Sequence, residues 1–162
     1  MADQLIQKPE KKWIVICDDD ESNLHLTAWI FIDQGESVAG FTTGAALLDF
    51  LKLRAGKIKA VLLDLSLPVL DGLTIAEQIR INEQAYNSEP VPLAFYTAHH
   101  QSAGGATERV AAKTQVEKIF HKPDDTPELY DKVSAWLESR EKQSEELQNA
   151  KTNYSGEKKD AF

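Results

Sequence analysis

A few residues in this chain have types and spacings that could do chemistry together: the run Asp18-Asp19-Asp20, then Asp64, Thr97 and Lys122. Carboxylates brought close raise one another's pKa, and a hard divalent cation relieves the repulsion. A donor set of oxygens only, with room for water, suits Mg2+. A carboxylate beside such an ion is already ionised at neutral pH and can attack a phosphoryl group without a general base, giving an aspartyl-phosphate. The ammonium of Lys122 would add positive charge for the phosphoryl oxygens, and the Thr97 hydroxyl a hydrogen-bond donor. Each piece also has an ordinary reading. The aspartate run could be a solvated helix cap favoured by the helix dipole, Thr97 a strand residue, and Lys122 a solvated surface lysine.

The elements that must position these residues decide between the readings. Ala60-Val61-Leu62-Leu63 runs without alternation into Asp64, as a strand covered on both faces does. Four further strands are predicted: Trp13–Cys17 leading to Asp18, Ser37–Phe41, Pro92–Ala98 carrying Thr97, and Lys118–Lys122 cut by Pro123, with the third spanning Ile58–Asp64. Helices separate them. One opens at Glu21 or Ser22, carries Leu24, Trp29, Ile30 and Ile32, and stops near Gly35. The next is capped by Thr42 or Thr43 and presents Leu47, Leu48, Phe50 and Leu51 before Gly56. A third runs from Gly72, behind the capping Asp71, to Asn82 with Leu73, Ile75, Ala76 and Ile79. A weaker one follows over Thr107–Gln115. The last opens at Thr126-Pro127-Glu128 and uses Leu129, Tyr130, Val133, Trp136 and Leu137. Strict alternation predicts an α/β fold, a doubly wound five-stranded parallel sheet with helices on both faces. The C-terminal strand ends of such a sheet share one edge, which brings Asp18, Asp19, Asp64, Thr97 and Lys122 together.

Length and charge bound the rest. The 162 residues suffice for one domain with tails, and the segments read as a flexible lead-in over 1–11, a domain over 12–140 and a charged, disordered tail over 141–162. A net charge of −8 argues against a generic nucleic-acid or anionic-membrane surface. A single cysteine, Cys17, excludes an internal disulfide; its apolar neighbours make it a core thiol and favour a cytoplasmic setting. No apolar run approaches the roughly 20 residues of a spanning helix. Gly56-Lys57 lacks the residues of a P-loop, and no G-x-G-x-x-G is present. Trp13, Trp29 and Trp136 read as packing residues, and a transition-metal site among His99, His100 and His121 lacks ligand spacing.

Four pieces in order, Ile14-Val15-Ile16-Cys17-Asp18-Asp19-Asp20, Leu62-Leu63-Asp64 with Pro68 and Asp71-Gly72, Phe95-Tyr96-Thr97-Ala98, and Phe120-His121-Lys122-Pro123, resemble the response-regulator receiver domain of two-component signalling. The resemblance spans residues 13 to about 138 and implies a flavodoxin-like (βα)5 fold. It implies that Asp64 takes a phosphoryl group from a phosphohistidine on a sensor histidine kinase or histidine phosphotransfer protein. It further implies that Asp19, Asp64 and the Ser66 backbone carbonyl ligate Mg2+ (or Mn2+ in its place), with Asp18 acting mainly through water. Thr97 and Lys122 would bind the phosphoryl oxygens. In the family the threonine moves toward the phosphate and an aromatic three residues before the lysine changes rotamer; here that position is Ile119. Ser66 and His99 stand where the family tunes the lifetime of the phosphoryl group.

Few residues follow position 140, so the expected output is contact with a downstream protein or phosphate relay, in a monomer or a phosphorylation-dependent dimer, with no direct nucleic-acid or membrane partner. The expected protein is a phosphoacceptor rather than an enzyme. Two rivals remain at this point. A haloacid-dehalogenase-type phosphatase would use Asp18 as nucleophile and Asp20 as acid/base, leaving Asp64 unexplained. A phosphorylation-independent binding module would keep the site without using it.

Overall fold

The computed structural model describes residues 11–98 and 112–157. The chain divides into two compact units, one ending at Pro127 and one beginning at Glu128.

In the first unit, β1 (Trp13–Cys17), β2 (Ser37–Phe41), β3 (Ile58–Leu63), β4 (Leu93–Thr97) and β5 (Lys118–His121) form one sheet in the order β2-β1-β3-β4-β5. Every pairing is parallel. The strands are apolar without alternation because both faces are covered. On one face Val15, Cys17, Val61, Leu63, Leu93 and Phe95 meet Leu47 and Leu48 of α2 (Gly44–Leu53) and Ile75, Ala76 and Ile79 of α3 (Gly72–Ala85). The other face presents Ile14, Ile16, Ala60, Leu62 and Ala94, all buried. There α1 (Glu21–Ile32) sets Leu24 against Gly40, the lateral partner of Ile16. Each fully buried aliphatic side chain contributes about 1.5–3 kcal/mol, so this double cover is the main source of the unit's stability.

Helix starts follow local chemistry. Asp20, Thr43 and Asp71 are the N-caps of α1, α2 and α3, each accepting a backbone N–H three residues on. Helix α1 departs from expectation on its outer side. Its buried residues are Leu24, Thr27 and Phe31, and the 3.6-residue period leaves Leu26, Trp29 and Ile32 exposed on the other side. Trp29 is therefore not a packing residue, whereas Trp13 packs edge-on against Phe50 and Trp136 is buried.

Residues 112–114 are helical, the end of the helix predicted over Thr107–Gln115; the rest of that prediction, with His99, His100 and Gly104-Gly105, lies outside the described residues. Thr126-Pro127-Glu128 forms one 3-10 turn rather than the first turn of an α-helix. In the second unit a single helix of 29 residues runs from Leu129 to Glu157, with Leu129, Val133 and Trp136 buried. This corrects the expectation of a disordered tail from residue 141. Glu, Gln, Lys and Ala favour helix, so the absence of an apolar stripe does not end the helix.

Candidate functional site

Register brings the acidic residues together. Cys17 of β1 pairs laterally with Leu63 of β3, so Asp18 and Asp64, the next residues of each strand, emerge side by side at the C-terminal edge. Backbone bonds hold both exits: Asp64 N–H donates to Cys17 O at 3.0 Å, and Asp18 N–H to Phe41 O at 3.0 Å. Carboxylate oxygens of Asp18, Asp19 and Asp64 all lie within 4.8 Å of one another. Asp18 and Asp64 are buried and Asp19 is exposed. This donor set, oxygens only and one of them open to water, fits a hard divalent cation.

Lys122 follows β5, whose His121 pairs with Thr97 of β4. Its N–H donates to Thr97 O at 2.9 Å. Its side chain reaches across the edge, donating from Nζ to Asp18 Oδ2 at 2.5 Å and to Asp64 Oδ2 at 3.1 Å. The same ammonium lies 4.8 Å from the centre of the Tyr96 ring. Burial acts to lower the Lys122 pKa, but the hydrogen bond it donates to Asp18 and the charge of Asp64 outweigh it and hold the ammonium above its ordinary range. Burial, with the charges of Asp18, Asp64 and Asp19, pushes the neighbouring Cys17 thiol up to about 12, which makes it an inert core thiol.

The loop after Asp64 is built around the carboxylate. Asp64 Oδ1 accepts the Ser66 N–H at 3.0 Å. The Gly72 N–H donates to Leu65 O at 3.0 Å, and a Cβ on Gly72 would lie 2.3 Å from Asp64 O. Glycine is required there for close approach rather than for its φ. Between them Val69 is fully exposed and holds a φ of 69°, a left-handed conformation costly for a β-branched residue.

The structure thus brings together Asp18, Asp19, Asp64 and Lys122, and sets Thr97, fully buried, at the end of the strand beside them. Asp20 stays apart from the acidic cluster: its carboxylate accepts the Asn23 N–H as the cap of α1. Ile119 is half-buried against the cluster on the α2/α3 face, and Phe120 is buried on the opposite face, as strand alternation requires. The sequence reading missed Tyr96, which faces Lys122 and bonds Thr126 Oγ1 through its hydroxyl at 2.6 Å. It also missed a clamp at the other end of α3. Arg80 pairs with Glu83 and donates to the carbonyls of Val91, Thr114 and Gln115, while Glu83 accepts the Val91 N–H. An Arg-x-x-Glu spacing on a helix was the available signal for it.

Known proteins resemble this chain in sequence and fold. The sequence matches the response regulator receiver domain family over residues 14–134. The CAI-1 autoinducer sensor kinase/phosphatase CqsS of Vibrio cholerae is 27% identical over 124 residues, 76% of this chain but 17% of that protein. The sensor protein GacS of Pseudomonas syringae is 28% identical over 75% of this chain and 13% of its own length. This chain therefore spans under a fifth of either relative. Among solved structures, a CheY-like receiver domain protein from Methanospirillum hungatei superposes with a TM-score of 0.67 at 21% identity, covering 82% of this chain and 98% of that one. The Mg2+-complexed receiver domain of the histidine kinase CKI1 from Arabidopsis thaliana gives 0.65 at 14% identity, covering 75% and 91%. Among the described residues no helix is long and apolar enough to cross a membrane. With an acidic cluster at the C-terminal edge of a five-stranded parallel sheet and a family match over most of its length, the chain belongs to the response regulator receiver domain family.

Proposed function

We propose that Asp64 accepts a phosphoryl group from a phosphohistidine on a sensor histidine kinase or histidine phosphotransfer protein. The observation that carries this reading is the placement of Lys122 Nζ within hydrogen-bond distance of both Asp18 and Asp64 at the strand edge. In the transfer, the donor's P–N bond breaks as a P–O bond to Asp64 forms, and the imidazole is the leaving group. Asp64 attacks as a carboxylate, which needs no general base. Lys122 holds the carboxylates before transfer and pairs with a phosphoryl oxygen after it. The Thr97 hydroxyl donates to a second phosphoryl oxygen.

Asp19, Asp64 and the Ser66 carbonyl would hold Mg2+, or Mn2+, with Asp18 contributing through water. The ion, when bound, supplies charge that offsets the repulsion between Asp64 and the incoming phosphoryl group. Mn2+ accompanies the related receiver Rcp1 in its solved form. That the relatives CqsS and GacS are sensor kinases supports a phosphohistidine donor. The chain acts as a cytoplasmic phosphoacceptor, not as an enzyme on a separate substrate, and its phosphorylated form engages a downstream protein.

The test is intact mass after treatment with Mg2+ and a small acyl phosphate, for wild type, Asp64→Asn and Asp18→Asn. One phosphoryl unit added to wild type and absent from Asp64→Asn is the expected result. Loss only in Asp18→Asn, with sustained donor turnover, would select the phosphatase. No adduct and no beryllofluoride binding would select a phosphorylation-independent module, the reading to which Ile119 at the aromatic position lends weight.

A further inference from the structure

The C-terminal helix presents a feature that phosphoryl chemistry does not use. From residue 141 to residue 154 every position is exposed, although the helix continues without a break to Glu157. A helical stretch of this length with no buried face is marginal in water unless side-chain pairs or a partner support it. Its two large apolar side chains are Leu147, 63% exposed, and Tyr154, 66% exposed. They lie seven residues apart and continue the spacing of the buried Val133. Ala150 falls between them at the complementary position, and Gln143 one heptad earlier.

We infer that residues 143–154 form a short parallel coiled coil with the same segment of a second copy of this chain. With Leu147 and Tyr154 at a, positions d are Gln143 and Ala150, Glu146 is g and Lys151 is e. In a parallel, in-register pair, g of one helix faces the following e of its partner. Glu146 then meets Lys151 of the second copy, twice by symmetry. An antiparallel pair sets g against g and e against e and loses both contacts. Charge therefore selects a second copy in parallel as the occupant. Small Ala150 at d lets the helices approach, and the Tyr154 ring closes the seam. The seam is short and includes a polar Gln143, so association depends on concentration.

The test is sedimentation velocity on the full chain across a dilution series, followed in parallel by far-ultraviolet circular dichroism. The expected result is a species of twice the 18.1 kDa chain mass that dissociates on dilution with a loss of helix signal. Leu147→Asp, at an exposed position, leaves the thermal unfolding of the monomer unchanged and abolishes the dimer. Glu146→Lys weakens it, and Glu146→Lys combined with Lys151→Glu restores it. Ala150→Cys, oxidised, gives a disulfide-linked pair, with the buried Cys17 silent. A monomer at every concentration overturns the inference. So does a dimer that survives Leu147→Asp, or one that Ala150→Cys fails to cross-link.

Discussion

The Lys122 ammonium lies 2.5 Å from Asp18 Oδ2, across 104 residues of sequence, and the same nitrogen reaches Asp64. One cation thus compensates two buried carboxylates that would otherwise repel each other. Removing it leaves an uncompensated pair. Lys122→Met in the presence of chelator is expected to lose about 2 kcal/mol, below the range for a fully buried pair because water still reaches the edge. Mg2+ should recover more stability in the variant than in wild type. Urea unfolding with and without Mg2+ checks this, and equal stabilities would remove the compensating role.

Val69 holds a left-handed φ with a β-branched side chain in full solvent. Nothing in its exposure offsets that strain. Val69→Gly is expected to raise stability by about 1 kcal/mol, since relief of the αL penalty outweighs the added freedom of the unfolded chain. Chemical denaturation reads it directly, and a destabilised variant would mean that the conformation is not strained.

Arg80 and Glu83 are each 11% exposed by side chain, and the guanidinium satisfies three backbone carbonyls. Arg80→Ala should cost about 3 kcal/mol, because it strands a nearly buried carboxylate as well as those carbonyls. Restoring stability with Arg80→Ala/Glu83→Gln, measured in a double-mutant cycle, would separate the stranded charge from the lost clamp.

Cys17 predicts an alkaline limit. Its folded pKa of about 12 lies above the ordinary 9.0, so the thiol is neutral in both states below about pH 9. Above that the unfolded chain ionises first, and stability falls as pH rises toward about 12. The native protein should therefore resist alkylation at mildly alkaline pH while the urea-unfolded chain reacts, a difference that intact mass reports.

The five strands and the positions of Asp18, Asp64, Thr97 and Lys122 were legible because apolar runs and their terminal residues are local signals. Strict alternation with helices, which implies a doubly wound parallel sheet, tied them into one edge. The outer side of α1 was not legible. Leu26, Trp29 and Ile32 are as apolar as Leu24 and Phe31, and composition alone does not say which side meets the sheet. The helix beyond residue 140 was not legible because it carries no apolar stripe; the helix propensity of its Glu, Gln, Lys and Ala residues is the signal present there. Tyr96 and Arg80 act through partners far away in sequence, at positions 122 and 91–115, which no short window contains.

The acceptor loop and the lysine differ in how they come into being. The contact of Gly72 with the Asp64 backbone closes a loop of only a few residues, so ordering that half of the site costs little chain entropy. Closing the long loop to Lys122 costs more entropy and must wait for β5, an edge strand made late in synthesis. Through that interval the growing chain carries Asp18 and Asp64 without their ammonium. A residue translated long after both is the one that lets them lie side by side.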